Sequence, residues 1–232
     1  MKQTVLILFM LPCTAIFMMS CVGRMALTEE KNDAETVSIR EDFEHPKLQW
    51  ETTDAQAWKI IREGKNASFS LERQCDYEPP VRSPFSIAWI KDMELSDFTL
   101  TLKVRSVCLS YPPHRDICLF FGGQDPSHFY YVHFSRDMDP RANQIFIVNG
   151  APRKRITVKK DRDGSPWKDG VWHTLKLERD TASGAIRAYF DDMETPVMEA
   201  QDKTFLAGRI GIGSFDDAGQ FDDIELHGIK IQ

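Results

Sequence analysis

The stretch that decides the fold is WKDGVWHTLKLERDTASGAIRAYFDD, residues 167–192. Within it, HTLKLER (173–179) and AIRAYF (185–190) each alternate apolar with polar side chains, which predicts two strands with one buried face apiece. The segment between them, DTASG (180–184), is rich in turn-forming residues. We therefore expect these residues to form a β-hairpin.

The same alternation extends through the rest of the chain. FTLTLKV (98–104) predicts another half-buried strand, while ICLFF (117–121) and FYYVHF (129–134) are apolar on both faces, as in central strands that are covered on each side. Turn signals such as GGQDPS, VNGAP and DDAGQ separate the runs, and no segment from 38 to 232 has a long helical period with caps. The sequence predicts an all-β fold, a two-sheet antiparallel sandwich.

The amino-terminal segment has the pattern of a secretory signal. Lys2 precedes an apolar run that is too short to span a membrane comfortably, and Cys21 follows a small residue as the acylated cysteine of a bacterial lipoprotein does. Ordinary secretion and an uncleaved anchor remain alternatives. We predict a signal peptide over residues 1–21, a polar tether over 22–37 and one domain over 38–232.

The net charge excludes two classes of partner. The chain carries −6 at neutral pH, and removing residues 1–20, whose only charge is that of Lys2, changes it to −7. A mildly acidic protein has no overall field that attracts nucleic acid or anionic lipid. We therefore expect no nucleic-acid partner, and membrane contact only through the lipid on Cys21.

Three cysteines remain in the predicted domain, Cys75, Cys108 and Cys118. Export implies an oxidising compartment, so a disulfide between Cys108 and Cys118 across the intervening Pro-Pro loop is one interpretation. Three buried thiols is the other. No cysteine and histidine spacing suggests zinc.

Several motifs resemble the concanavalin A-like jelly roll of lectins and glucanases. The hairpin at 167–192 resembles the W-H-x-hydrophobic hairpin of that superfamily, and GRIGIGSF (208–215) resembles the Gly-Ile-Gly strand that follows it. REDFE (40–44) and FDDIEL (221–226) resemble the first and last strands of many carbohydrate-binding jelly rolls. The resemblance implies the fold and a carbohydrate-related function, but no particular reaction.

Acidic residues near both chain ends suggest a calcium site. In the carbohydrate-binding relatives such a site is structural and ties the two ends together, and oxygen-rich cages suit Ca²⁺. The predicted ligands are Asp42, Glu44, Asp222 and Asp223. Plain surface carboxylates are the alternative. Asp216 and Asp217, in contrast, are expected to form a solvated turn beside Gly219.

Familiar catalytic motifs of the superfamily are absent. The laminarinase motif E-x-D-x-x-E does not occur, and NQIFIVN (143–149) has Phe146 where an alginate-lyase-like Q-[IV]-H motif would have histidine. SHFYYVHFS (127–135) is more unusual, because Tyr131 and His133 share the face opposite Tyr130, Val132 and Phe134. Both could contact sugar, both could transfer protons, or both could be buried in a central strand.

The sequence therefore predicts an exported carbohydrate-binding module for polysaccharide or oligosaccharide. The predicted ligand-binding residues are Arg82, Tyr131, His133 and Gln144. Two alternatives stay open. One is a glycoside hydrolase or polysaccharide lyase-like enzyme of the same fold, with Tyr131 and His133 as catalytic residues. The other is a structural or adhesive surface lipoprotein.

Overall fold

The computed structural model describes residues 35–107, 114–136, 141–160, 165–168 and 170–231. The strands are β1 (Glu35–Glu41), β2 (Trp50–Thr52), β3 (Trp58–Glu63), β4 (Asn66–Leu71), β5 (Ser86–Ser106), β6 (Ile117–Asp125), β7 (His128–Phe134), β8 (Gln144–Asn149), β9 (Lys154–Arg155), β10 (Thr157–Lys160), β11 (His173–Asp180), β12 (Ala185–Phe190), β13 (Met198–Gln201), β14 (Gly208–Ser214) and β15 (Gly219–Lys230). One 3-10 turn, Ala55–Ala57, is capped by the side chain of Asp54. None of the helical structure in these residues is long and apolar enough to cross a membrane.

All of the strand pairs are antiparallel, and β5 connects two layers. Its second half lies between β11 and β15 in the first layer, which continues through β12, β13 and β10. Its first half pairs with β2 and β14 in the second layer, which continues through β6, β7, β8 and β9. Asp92, with φ 54°, and a register shift against β14 mark a bulge where β5 passes between the layers.

The main core lies between the two layers. Leu100, Leu177 and Leu226 of the first layer belong to the same buried cluster as Leu119 and Val132 of the second. Each of these residues occupies an alternate position of its strand, as the period of two requires. Burial of apolar surface between two sheets is what stabilises a sandwich.

The predicted all-β sandwich is confirmed, and so is the pairing of the chain ends, with Glu41 opposite Ile224. Two boundaries differ from the prediction. The strand expected at 98–104 begins at Ser86. Four of its first five residues are buried, so this part does not alternate and the pattern did not predict it. Residues 35–37, expected in the tether, belong to β1, where they pair with the end of β15.

Candidate functional site

Strand β7 presents its two faces as the alternation predicts. Tyr130, Val132 and Phe134 point into the main core. Tyr131 and His133 lie on the outer face of the second layer, away from the first layer. The sequence therefore assigned these residues to the correct faces of β7.

The outer face is covered by a second set of apolar side chains. We call this set the outer aromatic layer, and its members are Ile87, Cys118, Phe120, Phe129, Tyr131, Phe146, Val148 and Phe215, with Val81, Phe85 and Trp89 at its margin. Tyr131 is 0% exposed and stacks between Phe120 and Phe146, with ring centroids 5.8 and 5.0 Å away. Its hydroxyl accepts a hydrogen bond of 2.9 Å from Arg153 Nη1.

This burial corrects the sugar-contact and proton-transfer roles expected for Tyr131. A ring covered on both faces has no surface on which a sugar can stack. Burial also raises the pKa of Tyr131, which keeps the phenol protonated. The expected sugar contact fails because Phe120 of β6 and Phe146 of β8, which pair with Tyr131 across the sheet, stack on the two faces of its ring.

His133 lines a pocket of about 170 Å³ at one end of the outer face. The lining residues of this His133 pocket are Arg82, His114, Asp116, His133, Arg141, Ala142, Arg153, Phe215 and Asp216. Two of the four predicted ligand residues, Arg82 and His133, are therefore brought together. The pocket also contains acidic residues that sequence reasoning had placed elsewhere or had not singled out.

The register of three neighbouring strands explains this convergence. Cys118 of β6 pairs with His133 of β7 on one side and with Gly213 of β14 on the other. Asp116 immediately precedes β6, and Asp216 lies in the turn that follows β14, so both come to the same end of the sheet as His133. The Asp116 amide donates a 3.0 Å hydrogen bond to Asp217 Oδ2, which fixes that turn against β6.

The carboxyl groups of the pocket have opposite pKa shifts. Partial burial and the neighbouring carboxylates of Asp116 and Asp217 raise the pKa of Asp216 to about 6, although the residue is exposed on its outer side. Burial opposes ionisation of Asp116, but His133, with Nε2 2.9 Å from Asp116 Oδ1, lowers the pKa of Asp116. The predicted turn at 216–217 is therefore present, but it is part of a pocket and not a plain solvated loop.

Gln144 lies beside His133 in the sheet but lines a different depression. The two residues pair across β7 and β8, and Gln144 is buried. Its neighbours in that depression include Arg155 and Thr157. Gln144 and Tyr131 thus do not share a pocket with Arg82 and His133.

Three of the four predicted calcium ligands are engaged with protein groups. The amide of Ala67 donates to Glu44 (2.8 Å), the Asn66 amide group donates to Asp222 (3.0 Å), and Asp223 forms an ion pair with Lys103 (2.8 Å). Among the described residues, no three of these four bring ligand oxygens within 4.8 Å of one another. Calcium at the chain ends stays a prediction.

Buried Glu41, which the sequence did not single out, stabilises the start of the domain. Its carboxylate accepts hydrogen bonds from the backbone amides of Phe43, Lys47 and Leu48 at 2.6–2.8 Å. A carboxylate bonded to several amides holds the chain much as a bound ion would.

The predicted disulfide and the predicted lipidation site each involve a cysteine that lies outside the described residues. Cys118 is a fully buried free thiol in β6, which does not support its pairing with Cys108, and Cys108 itself lies outside the described residues. Cys75 is also a buried free thiol. Cys21, the predicted lipidation site, lies outside the described residues as well.

A second pocket, of about 210 Å³, lies at the other end of the outer face. We call it the Trp89 pocket, and its lining residues are Glu51, Thr52, Thr53, Tyr77, Ser83, Pro84, Ile87, Trp89, Gly123, Asp125, Pro126, Phe129 and Arg209. Trp89 is partly exposed and forms part of this pocket.

The Trp89 indole lies over two glycines of neighbouring strands. A Cβ atom added to Gly123 would come within 2.8 Å of the indole carbons, and one added to Gly211 within 2.9 Å. Phe120 and Phe129 contact the indole edge-on, at 5.7 and 5.9 Å between ring centroids. Any larger residue at the two glycines would displace the ring, so these small residues hold it flat against the sheet.

Charged groups surround the indole. Arg209 lies with its guanidinium carbon 5.1 Å from the ring centroid and forms a 2.8 Å ion pair with Glu51. Asp125 accepts a 2.8 Å hydrogen bond from His128 at the same margin. The pocket therefore combines one aromatic surface with carboxylates and a guanidinium, which can accept from and donate to hydroxyl groups.

Solved structures similar to this one define the fold. A carbohydrate-binding module, CBM66, from Bacillus subtilis has 18% sequence identity and a TM-score of 0.52, over 75% of this chain and 92% of that one. Winged bean acidic lectin, complexed with methyl-alpha-D-galactose, has 11% identity and a TM-score of 0.52, over 85% of this chain and all of the lectin. A GH43 protein from Bacillus licheniformis has 11% identity and a TM-score of 0.57, but the 82% of this chain that aligns spans only 39% of that protein.

These similarities establish the class of fold. The chain is a concanavalin A-like jelly roll, as the resemblance of its motifs implied. No protein-family model matches the sequence, and no curated protein matches it.

Proposed function

We propose that the protein is an exported carbohydrate-binding domain and that its sugar site is the Trp89 pocket. The observation that carries the proposal is the partly exposed indole of Trp89, held over Gly123 and Gly211 at the wall of a polar pocket. The apolar C–H face of a sugar ring packs against the part of the indole that Arg209 leaves exposed, while its hydroxyls bind the polar groups around it.

The groups around the indole suit hydroxyl recognition. Glu51 and Asp125 are exposed carboxylates that accept hydrogen bonds, and Arg209 donates them in a planar fork. The volume of about 210 Å³ lies below the ~300–1,000 Å³ of sites for larger ligands, so it suits a single sugar unit of a longer chain.

Similarity of fold supports the same class of ligand. Two of the similar structures are by name a carbohydrate-binding module and a lectin complexed with a galactoside. At 18% and 11% identity the likeness extends to the fold only, so the choice of site rests on the Trp89 geometry.

Export and lipid attachment at Cys21 complete the proposal. They rest on the signal-like sequence of residues 1–21. A surface-anchored domain with one sugar pocket would hold polysaccharide outside the cytoplasm. Structural Ca²⁺ at the chain ends is a separate part of this proposal, and its support is the pairing of β1 with β15 beside Asp222 and Asp223.

Retention in gels that contain soluble neutral or acidic polysaccharides tests the function. The wild-type protein should be retarded by at least one polysaccharide, and Trp89→Ala should migrate as it does in a plain gel. Retardation without new reducing ends or unsaturated products would favour binding over the hydrolase and lyase alternatives. A protein that no polysaccharide retards would contradict the proposal.

A further inference from the structure

The charge of the His133 pocket differs from that of the Trp89 pocket. Three of the residues that line the His133 pocket are arginines, two are histidines and two are aspartates. In the Trp89 pocket a single arginine accompanies two carboxylates. The His133 pocket therefore suits an anionic group of a ligand, whereas the Trp89 pocket does not.

Two of these arginines have no carboxylate partner in the part of the chain that the structure describes. Neither Arg82 nor Arg153 forms an ion pair there. Arg153 Nη1 donates to the Tyr131 hydroxyl, which is uncharged, and the Arg82 side chain makes no hydrogen bond within the described residues. Because a guanidinium carries five N–H donors, both groups keep donors for an anion that a ligand brings.

Backbone and ring contacts hold the two arginines together. The Arg153 amide donates a 3.0 Å hydrogen bond to the Arg82 carbonyl, which joins the chain before β5 to the chain after β8. The guanidinium carbons of Arg153 and Arg82 lie 4.3 and 6.0 Å from the centre of the Phe215 ring. The His133 ring is 6.0 Å from the same centre and nearly parallel to that ring. Contacts with one aromatic ring thus hold both cations beside His133 at the wall of the pocket.

The carboxylates of the pocket indicate which kind of anion fits best. Asp116 forms an ion pair with His133, with 2.9 Å between Oδ1 and Nε2. Asp216 is exposed and forms no ion pair with an arginine or a lysine of the described residues, so its oxygens can accept hydrogen bonds from hydroxyl groups. A ligand that carries both an anion and hydroxyl donors, such as a sugar acid, matches the arginines and Asp216 together. A sulfate ion has no hydroxyl to donate.

Both pockets lie along β7, on the same face of the sheet. Phe129 lines the Trp89 pocket, and His133, four residues further along, lines the other. With a rise of about 3.4 Å per residue, the two positions are about 14 Å apart. Tyr131 lies between them in the outer aromatic layer. One polysaccharide chain can therefore place one unit at Trp89 and another, a few units away, in the His133 pocket.

We propose that the polysaccharide held at Trp89 is an acidic one, and that the His133 pocket binds the carboxylate of one of its uronate units through Arg82 and Arg153. The inference rests on the proposed sugar site, and it adds the class of polysaccharide. The planar fork of a guanidinium matches the two oxygens of a carboxylate. Asp216 accepts from a hydroxyl of the same unit, and the volume of about 170 Å³ suits a single unit. The Trp89 pocket, with its two carboxylates, takes a neutral unit of the chain.

Carboxyl reduction supplies matched ligands for the test, because it converts each uronate into the corresponding neutral sugar and leaves the rest of the chain as it was. Glucuronate-substituted xylan, hyaluronan and xanthan contain both acidic and neutral units. Each of them is titrated calorimetrically into the full-length protein before and after reduction.

The wild-type protein should bind at least one native form about tenfold more tightly than its reduced form, since hydrogen bonds to a charged group are lost on reduction. Added salt should shrink this preference, because it screens the charges. Equal affinity for the native and reduced forms of every pair, or no binding to any of the three polysaccharides, would overturn the inference. Retention by neutral polysaccharides would in that case still support the Trp89 site.

Matched variants decide where the carboxylate binds. Arg82→Ala changes an exposed side chain, and Arg153→Lys keeps the charge but loses the planar fork, so each should reduce the preference for the native form. Arg155→Ala, at an exposed position outside the pocket, should retain the preference. A preference that survives in folded Arg82→Ala and Arg153→Lys proteins would overturn the inference. Trp89→Ala should weaken binding of both forms, so an unaffected Trp89→Ala protein would contradict the proposed sugar site, whatever the arginine variants show.

Discussion

The hydroxyl of Tyr131 accepts a 2.9 Å hydrogen bond from Arg153, which joins the guanidinium to the outer aromatic layer. The Arg153 guanidinium also lies 4.9 Å from the ring of Phe146 and 4.3 Å from that of Phe215. One cation thus packs against three aromatic residues of the layer. The relationship assigns Tyr131 to stability and not to ligand contact.

Replacing Tyr131 with alanine should therefore lower the free energy of unfolding by about 3–5 kcal/mol, the usual cost of deleting a buried aromatic ring. Tyr131→Phe should cost only about 0.5–1.5 kcal/mol, because it removes one hydrogen bond and keeps the packing. Urea unfolding measures both. A Tyr131→Ala protein of native stability that no longer binds sugar would contradict the assignment.

The close contact between Trp89 and the glycines beneath it predicts that a larger residue there weakens sugar binding. Gly123→Ala should displace the indole, because the new methyl group would lie 2.8 Å from ring carbons, and should weaken sugar binding. In a Trp89→Ala background the same change should have little further effect, since no ring remains to be displaced. A double-mutant cycle on binding affinity measures this coupling, and two additive effects would show that Gly123 does not act through Trp89.

The contacts of Asp202 predict that the free energy of unfolding depends on pH. Partial burial opposes its ionisation, but hydrogen bonds from the Tyr130 hydroxyl and the Thr204 amide lower the pKa of Asp202. A carboxylate with a lowered folded-state pKa contributes stability that is complete above its unfolded value of about 3.9 and is lost as the pH falls through the folded value.

Asp202→Asn should accordingly be less stable than the wild type near neutral pH, and the difference should shrink below about pH 4. Urea unfolding across that range provides the comparison. A difference between wild type and Asp202→Asn that does not change with pH would exclude the linkage.

Export can be examined on the protein as cells produce it. Mass spectrometry should find a mature chain that begins at Cys21 and carries lipid there, and the protein should partition into detergent. Cys21→Ser should abolish both properties. An intact Met1, or an unmodified Cys21, would contradict the lipoprotein prediction.

The sequence predicted those features that depend on local alternation. The faces of β7 and β11, and the pairing of the first strand with the last, follow from periodicity and from the motifs near 40–44 and 221–226. Such patterns record which side of a strand is buried. They do not record what covers the other side.

The two pockets could not be predicted in this way, because each depends on long-range register. Asp116 and Asp216 are a hundred residues apart, and only the pairing of β6 with β14 brings them together. Trp89 is likewise opposite Gly211 through the pairing of β5 with β14. Gly211, inside the strand-like segment GRIGIGSF, was the available signal that a large side chain lies over the sheet, whereas Gly123 falls in GGQDPS, which was predicted to be a turn but begins in β6.

The central claim is that Trp89 forms the sugar site, and its most direct test compares two tryptophans in similar surroundings. Trp89 and Trp172 are both partly exposed and both lie under an arginine, Arg209 at 5.1 Å and Arg105 at 4.7 Å, but Trp172 lies outside the Trp89 pocket. For the polysaccharide that is retained most strongly, calorimetric titration should show that Trp89→Ala weakens binding by about 1–3 kcal/mol, by analogy with the stacking of bases on aromatic rings. Trp172→Ala should bind as the wild type does, and melting curves should show that both variants are folded. Equal affinities for wild type and a folded Trp89→Ala protein, or an equal loss in both variants, would contradict the assignment of the sugar site to Trp89.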